Sequence, residues 1–358
     1  MLAATNEEVT QAFSKMSHRD LIHQAQFDHY GRRLATCSAD SMVNIWDRLP
    51  NGTWNKTTCW KVHGGPVWRV IWAHPQYGQV IATCSNDRSV YIWEEIIEGD
   101  GRKRWVKKAY LSDSRTAVTD IQFCPHQLGI MLAACTSQGI VRVYECPDYC
   151  DLSQWTLLHE MSPFDTRCSS LSWSTNQALR PLLIVGTDDD KMSPEERIVF
   201  YELNDNVRKW QCVPSLRLGA AMPVHDVAFS PAVATLGHQL AIAAGDVHMY
   251  SLVVKGSYAQ QPESSKPTEY LPQRIAVLGD LKQVWRLSWN VTGTALTAAS
   301  GDGTIRVWKS IYYDEWKLIS SMNPLDSAKE GRKAPSRHML SARPAFDNPD
   351  SKQPSTYY

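Results

Sequence analysis

The sequence predicts an all-β fold, a propeller of six blades, from three observations. Six similar segments recur along the chain, each holds three short strands with alternating apolar residues, and each third strand ends in an aromatic residue. The segments span residues 22–47, 67–94, 118–145, 168–202, 224–251 and 284–309. Because alternating strands pack one face on a neighbouring layer, each segment is expected to form one sheet that stacks on the next.

The elements of each segment occur in a fixed order. The first strand is IHQAQF, VWRVIW, VTDIQF, CSSLSW, VHDVAF or VWRLSW, and the second is RLATCS, VIATCS, MLAACT, LLIVGT, LAIAAG or LTAAS. The third strand closes on Trp46, Trp93, Tyr144, Tyr201, Tyr250 and Trp308. A more polar fourth strand is predicted in WNKTTCWKV, RWVKKAYL, QWTLLHEM, KWQCVPSL, QRIAVLG and EWKLISSM. Four strands per unit and a WD-like ending are typical of WD-repeat propeller blades.

The turn between the second and third strands carries an aspartate in most segments. These residues are Asp40, Asp87, Asp188 or Asp189, Asp246 and Asp302, whereas blade three has Gln138. His18 and His63 precede blades one and two and are expected to hydrogen-bond the aspartate. Catalytic groups occur once, but these residues recur with the blade, so we interpret them as turn residues. The sequence therefore predicts a protein that is not an enzyme and uses no cofactor or metal.

Composition excludes several classes of function. Lys and Arg together number 37, as do Asp and Glu, so there is no overall charge to attract nucleic acid or an anionic membrane. The nine cysteines include no C-x-x-C pair, and Cys146 and Cys150 lack further ligands for a metal. Cys37 and Cys84 are expected to be small buried apolar residues of a reducing compartment. With no signal peptide and no membrane span, the expected location is cytosolic or nuclear.

Two insertions and the chain ends interrupt the pattern. Residues 188–197 lengthen a turn of blade four, and residues 253–273, rich in Gln, Ser and Pro, are expected to form a mobile surface linker. The expected organisation is an N-terminal segment (1–17), the propeller (18–322) and a disordered tail (323–358).

The closure of the ring is left open by the residues themselves. Blade six has its own candidate fourth strand at 315–322, and only a weak candidate strand, VTQAF at 9–13, precedes blade one. Either the six blades close on themselves, or the ring stays open and exposes the flanks of blades one and six. A stable open ring needs a partner that covers those flanks.

Several stretches resemble the family of Seh-type nucleoporins, relatives of the COPII coat propeller. They are DLIHQAQFDHYGRRLATCSAD (20–40), VWRVIWAHPQYGQVIATCSNDRSVYIWEE (67–95), DLSQW (151–155), PVHDVAFSP (223–231) and VWRLSWNVTGTAL (284–296). The resemblance implies an open six-bladed propeller that receives a blade from an α-solenoid nucleoporin in the outer-ring Y complex of the nuclear pore. It also implies a role in protein and mRNA transport at the nuclear envelope. Membership of the GATOR complex of TOR signalling at the lysosome and visits to kinetochores are implied as well.

Partner binding is expected on the first strands of the terminal blades. The candidate residues are Ile22, Gln24, Phe27, Val284, Arg286 and Trp289, each with ordinary packing between blades as the alternative. The expected partners are the α-solenoid nucleoporin, other Y-complex subunits and GATOR subunits, with no direct binding of nucleic acid and no membrane insertion. The alternative functions are a peptide-binding adaptor that recognises histone tails or degrons, and a vesicle-coat propeller.

Overall fold

The computed structural model describes residues 18–204, 208–231, 237–255, 267–279, 281–312 and 315–323. It consists of six antiparallel sheets, each built from four strands that are consecutive in the sequence. Two short 3₁₀ helices each connect the first and second strands of one blade, Pro75–Tyr77 in blade two and His126–Leu128 in blade three. The prediction of a six-bladed all-β propeller is confirmed. In this described part, no helix has the length and apolarity that crossing a membrane requires.

The strand bounds follow the repeat closely. Blades one and two comprise β1 (Ile22–Phe27), β2 (Arg33–Ser38), β3 (Met42–Arg48), β4 (Trp54–Lys61), β5 (Val67–Trp72), β6 (Val80–Ser85), β7 (Val90–Ile97) and β8 (Lys103–Leu111). Blades three and four comprise β9 (Val118–Phe123), β10 (Ile130–Thr136), β11 (Val141–Cys146), β12 (Thr156–Met161), β13 (Cys168–Trp173), β14 (Leu182–Thr187), β15 (Ile198–Asn204) and β16 (Lys209–Cys212). Blades five and six comprise β17 (Asp226–Phe229), β18 (Gly237–Ala244), β19 (Asp246–Val254), β20 (Tyr270–Leu278), β21 (Val284–Trp289), β22 (Ala295–Ser300), β23 (Ile305–Tyr312) and β24 (Glu315–Met322).

The apolar core lies between successive blades. Side chains of adjacent sheets interdigitate in five clusters, one for each junction from blades one and two to blades five and six. At the first junction, Ala35 and Ile45 of blade one pack with Val70 and Ile81 of blade two, all fully buried. Cys37 belongs to the same cluster, and burial raises the pKa of its thiol to about 12. Because both faces of an inner sheet pack on neighbouring blades, second strands such as β6 and β10 are buried along their whole length.

The innermost strands of adjacent blades are also joined by hydrogen bonds from backbone N–H groups to side-chain oxygens, and the bonds of this kind all run in one direction. We number six positions along each innermost strand; in blade five they begin at Val224, two residues before β17. Position three is Gln24, Arg69, Asp120, Ser170, Asp226 and Arg286 in blades one to six. Position five is Gln26, Ile71, Gln122, Ser172, Ala228 and Ser288. At four of the junctions, the side chain at position three, at position five or at both accepts from the backbone N–H at position four or six of the next blade.

Four junctions have this bonding, which we call the inter-blade seam. Between blades one and two, Gln24 Oε1 accepts from the Val70 N–H at 3.0 Å and Gln26 Oε1 accepts from the Trp72 N–H at 2.9 Å. The same pairs recur at the other three junctions as Asp120 with Leu171, Gln122 with Trp173, Ser172 with Phe229 and Asp226 with Leu287. A tryptophan at position six adds an indole N–H bond to the carbonyl at position five of the preceding blade, as in Trp72 to Gln26, Trp173 to Gln122 and Trp289 to Ala228.

The aspartates between second and third strands act as turn residues, as the repeat predicts. Asp87 accepts hydrogen bonds from the N–H groups of Gly64 and Ser89 and lies 3.0 Å from His63 Nδ1. Burial alone would raise the pKa of Asp87, but the bonds from His63, Ser89 and Gly64 hold it well below its ordinary value. His18 contacts Asp40 in the same way at 3.1 Å in blade one. These groups stabilise the local turn.

The structure changes the interpretation of the second insertion, residues 253–273, in part. The ends of the predicted linker 253–273 are strand, because β19 runs to Val254 and β20 begins at Tyr270. Pro272 fits into β20 because this strand lies at the outer edge of its sheet, where a missing N–H leaves no neighbour unbonded. The remainder of this linker, the N-terminal segment with VTQAF and the tail from 324 onward lie outside the described residues.

The loop 188–197 of blade four is held from within by one arginine. The buried guanidinium of Arg197 donates to the carbonyls of Asp189 and Asp190 in the loop and of Ala220 and Ala221 beyond blade four. The loop is therefore anchored at its base, while its tip, including Lys191, is exposed.

A buried histidine at the junction of blades four and five makes stability dependent on pH. His238 of β18 contacts Ser174 of blade four through Nδ1 and packs against the rings of Phe229 and Tyr270. Burial lowers the pKa of His238 from 6.5 to about 3. The unfolded chain takes up this proton first as the pH falls, so His238 destabilises the folded state below about pH 6.5.

We expect the free energy of unfolding to fall by about 2 kcal/mol between pH 7 and pH 5 on account of His238 alone. In the His238→Asn variant this part of the pH dependence should be absent, because asparagine does not titrate. Urea unfolding of both proteins at the two pH values measures the difference. An equal fall in both would mean that His238 is not the group responsible.

Candidate partner interface

The ring has one junction unlike the others, between blade six and blade one. From blade one to blade six, each innermost strand packs along the innermost strand of the next blade, β1 on β5 and so on to β17 on β21. Within the described residues, β21 and β1 share no comparable packing, and no hydrogen bond of the inter-blade seam joins them. Among the described residues, the ring of six sheets is therefore open between β21 and β1, and we call this space the gap.

Blade six presents an apolar face to the gap. Strand register makes Thr297 and Ala299 the counterparts of Ala82 and Cys84, which are fully buried against blade three. Thr297 and Ala299 are only half-buried. The same contrast holds along β23 and β24, where Ile305 and Val307 are half-buried and Met322 is 38% exposed. A face that packs on a neighbour in blade two is thus uncovered in blade six.

The gap face of blade one is exposed along its innermost strand. Ala25 is exposed, whereas its position-four counterparts Val70 and Ile121 in blades two and three are buried. Phe27 is 55% exposed, whereas Trp173 and Phe229 at the same position six are buried. Further out on the same face of blade one, Leu34 and Trp46 are buried. The exposed apolar strip of blade one is therefore confined to β1 and to the residues just before it, Leu21 among them.

Charged residues fill the inner side of the ring and pair with one another. Arg69 Nε lies 2.6 Å from Asp120 Oδ1, a contact of opposite charges rather than a well-directed hydrogen bond, and both side chains are buried. Arg286 lies 3.7 Å from Asp226. Burial raises the pKa of Asp226 to about 7, although the charge of Arg69 and the N–H of Leu287 act in the opposite direction. The repeated Val-Trp-Arg thus places its arginines in ion pairs within the chain.

These charged groups form no metal site in the structure. Over the described ranges, no three His, Cys, Asp or Glu side chains are close enough together to hold a metal ion. The aspartates are occupied by arginines and backbone N–H groups, as described above.

The six residues chosen from the sequence divide into two groups. Ile22 (41% exposed) and Phe27 are open to solvent beside the gap, and Arg286 is partly exposed beside it. Gln24 instead accepts from the Val70 N–H of blade two, so it faces away from the gap. Val284 is fully buried against blade five, and Trp289 donates its indole N–H to Ala228 of blade five. Only Ile22, Phe27 and Arg286 are therefore placed where a partner in the gap could contact them.

Sequence reasoning missed two backbone N–H groups and one hydroxyl that face the gap and have no hydrogen-bond partner among the described residues. The Asp28 N–H bonds to the Arg33 carbonyl, so the alternate N–H groups of Ala25 and Phe27 point away from β2, into the gap. Ser288, at position five of blade six, is exposed, whereas Ser172 at the same position of blade four is buried and bonded to blade five. Aligning the six innermost strands identifies these groups only when the direction of the inter-blade seam is known, and the sequence does not show that direction.

Comparison with known proteins agrees with this architecture. The family model described as WD domain, G-beta repeat matches residues 10–47, 54–94 and 273–309. Each match ends within a third strand that contains tryptophan, Trp46 of β3, Trp93 of β7 or Trp308 of β23. The second and third matches begin in the fourth strand of the preceding blade, β4 or β20.

Similar proteins match over nearly the whole chain. Nucleoporin SEH1 of Caenorhabditis briggsae is 45% identical over 317 residues, which cover 86% of this chain and 87% of that protein. Nucleoporin SEH1 of Caenorhabditis elegans has the same identity and coverage. Nucleoporin SEH1 of Homo sapiens is 43% identical over 332 residues, which cover 89% of this chain and 91% of that protein. With this identity over 86% to 89% of its length, the chain belongs to the SEH1 family of nucleoporins.

Proposed function

We propose that the chain is a scaffold nucleoporin of the nuclear pore complex, and that its open propeller binds an α-solenoid nucleoporin by accepting a blade in the gap. The observation that carries the proposal is the uncovered face of blade six opposite the exposed innermost strand of blade one. Membership of the SEH1 family supports a place at the nuclear envelope.

The physical mechanism is β-augmentation on the scale of a whole sheet. The partner's strands would cover apolar side chains such as Ile305, Val307 and Phe27 and would complete backbone bonding on both sides. Because two faces are buried at once, the interface is expected to exceed about 2,000 Å² and to be obligate. The free energy of binding holds two scaffold elements at a fixed angle, and no reaction is catalysed.

Other assignments follow from the family resemblance alone. They are the outer-ring Y complex, the transport of protein and mRNA, GATOR in TOR signalling at the lysosome, and kinetochores. They remain predictions about where the same binding mode is used.

We test the proposal with the double variant Ile22→Asp/Phe27→Asp, which places two carboxylates beside the gap. Affinity purification of the tagged wild-type chain from its own cells should recover one α-solenoid nucleoporin at about equal amount, and the chain should mark the nuclear rim. The double variant should recover at least about tenfold less, equivalent to about 1.4 kcal/mol or more of binding free energy. Both wild-type side chains are exposed, so the fold should be retained, which circular dichroism and thermal unfolding can verify.

The control is Ile97→Asp, the same change at an exposed position of blade two, away from the gap. It should leave recovery of the solenoid unchanged. If the double variant also retained the solenoid, a blade in the gap would be refuted. Recovery of histone tails or degron peptides by both variants would favour the peptide-binding adaptor, and a coat subunit in place of a nucleoporin would favour the vesicle coat.

A further inference from the structure

The two sides of the gap are the two unmatched ends of the inter-blade seam. On blade one, the N–H groups of Ala25 and Phe27, at positions four and six, point into the gap. On blade six, the hydroxyl of Ser288 at position five is exposed, and the part of the chain that the structure describes offers it no hydrogen-bond partner. At two closed junctions the corresponding groups are bonded: the Trp72 N–H at position six to Gln26, and the Ser172 hydroxyl at position five to the Phe229 N–H. A seventh blade that continues this bonding would supply acceptors to blade one and a donor to blade six.

The junction of blades two and three indicates which acceptor is required at position three. Blade two has Arg69 at this position, and blade six has Arg286. Arginine cannot accept a hydrogen bond, and Arg69 instead pairs with Asp120, the position-three residue of the next blade. Asp120 in turn accepts from the Leu171 N–H of blade four. One aspartate thus pairs with the arginine behind it and bonds to the amide ahead of it.

Arg286 is placed to repeat this arrangement with an added blade. Its contact with Asp226 is 3.7 Å long and its side chain is 39% exposed, whereas Arg69 is buried and 2.6 Å from Asp120. An acidic side chain at position three of a seventh blade would lie next to Arg286 and would face the N–H of Ala25. Besides apolar side chains, the gap therefore calls for one acidic side chain from the inserted blade, next to Arg286.

Positions five and six have their own templates in the chain. Ser172 and Gln122 at position five show that a hydroxyl or an amide accepts from the N–H at position six of the following blade. The amides at position six that donate across a junction belong to Trp72, Trp173 and Phe229, all aromatic. By analogy, the exposed Ser288 would accept from the N–H of an aromatic residue at position six of the inserted blade.

We infer that the innermost strand of the inserted blade carries an aspartate at position three, a glutamine or serine at position five and an aromatic residue at position six. This inference rests on the proposed function and specifies the chemistry of the partner's inserted segment. The aspartate pairs with Arg286 and accepts from the Ala25 N–H. The position-five side chain accepts from the Phe27 N–H, and the position-six N–H donates to Ser288.

The chain contains a suitable probe in its own blade three. Residues 118–161 form a complete blade whose innermost strand, VTDIQF, has Asp120, Gln122 and Phe123 at the three positions. We would fuse a second copy of this segment to the N-terminus of the full chain, where the order of strands allows it to enter the gap from the side of blade one. The matched fusion replaces the copied Asp120 and Gln122 by leucine, which keeps apolar packing but removes both acceptors.

Hydrogen exchange at the amides of Ala25 and Phe27 is the main measurement. In the fusion with the native copy, exchange of both amides should slow by at least about tenfold relative to the unfused chain, and the midpoint of thermal unfolding should rise. In the leucine fusion the slowing should be largely lost. Equal protection in both fusions would overturn the inference on acceptors and leave insertion of a blade intact. No protection in either fusion would overturn both, because the gap would then not accept a blade.

Ser288→Ala gives a second measurement on the other side of the gap. In the unfused chain it should leave the unfolding midpoint unchanged, since the hydroxyl is exposed and unbonded. Ser172→Ala, the same change at a closed junction, should lower that midpoint, because the Phe229 N–H loses its acceptor. In the native fusion, Ser288→Ala should speed exchange of the copied Phe123 amide by at least about threefold. Unchanged exchange there would contradict the role assigned to Ser288.

Discussion

Replacing Arg69 by methionine should cost about 3–5 kcal/mol of the free energy of unfolding, because it leaves a buried carboxylate without its counter-charge. Arg69 and Asp120 are both buried, and Asp226 also lies within the electrostatic reach of Arg69. Methionine preserves much of the volume, so the loss reports charge rather than a cavity. Urea unfolding followed by tryptophan fluorescence measures it.

The electrostatic origin of this loss has a signature in pH. The pKa of Asp226 is already raised to about 7 by burial, and Arg69 counteracts that rise. Without Arg69 the carboxylates should bind protons more readily in the folded state, so the variant should be less destabilised at pH 5 than at pH 8. Adding Asp120→Asn should restore part of the stability, because the amide oxygen still accepts from the Leu171 N–H. Losses that simply add in the double variant would contradict the pairing.

Trp289→Asp should have an effect of similar size at the junction of blades five and six. The change removes the indole bond to the Ala228 carbonyl and the edge-to-face contact with Trp316, whose ring centroid is 5.6 Å away. It also places a carboxylate against the apolar cluster between the two blades. We expect a loss of about 3–5 kcal/mol in the free energy of unfolding.

Lys191→Asp is the comparison for this variant. Lys191 lies at the exposed tip of the blade-four loop, where only its backbone N–H is bonded, to Asp189. Its replacement should change stability by less than about 0.5 kcal/mol. Thermal unfolding of the two variants side by side is sufficient. If both were equally harmful, the tight packing assigned to Trp289 would be wrong.

The sequence predicts the fold well because the strand pattern of one blade occurs six times along the chain. Strand order, the aromatic end of each third strand and the polar fourth strand can all be recognised in single segments and checked against the others. The exceptions have local causes. Tyr270 and Pro272 begin an edge strand within a stretch whose composition is typical of a linker, since an edge strand needs fewer apolar residues and tolerates proline.

The candidate site was harder to predict because it depends on which face each side chain occupies. In five blades the strand register shifts between positions one and three of the innermost strand, a β-bulge that interrupts simple alternation. Ile22 and Gln24 are two residues apart and would share a face by simple alternation, yet Gln24 bonds to blade two and Ile22 is exposed beside the gap. The backbone amides of Ala25 and Phe27 leave no trace in the sequence, because every residue except proline carries such a group.

The one-way bonding between blades gives the ring a sense of rotation. Along the inter-blade seam, the backbone N–H groups bond to the preceding blade and the accepting side-chain oxygens bond to the following blade, from Gln24 and Val70 through to Asp226 and Leu287. In the proposed complex, a blade that entered the gap upside down would place donors opposite donors and acceptors opposite acceptors. The seam would therefore favour one orientation of an inserted blade. The propeller would then set the direction in which the rest of the partner extends from the gap.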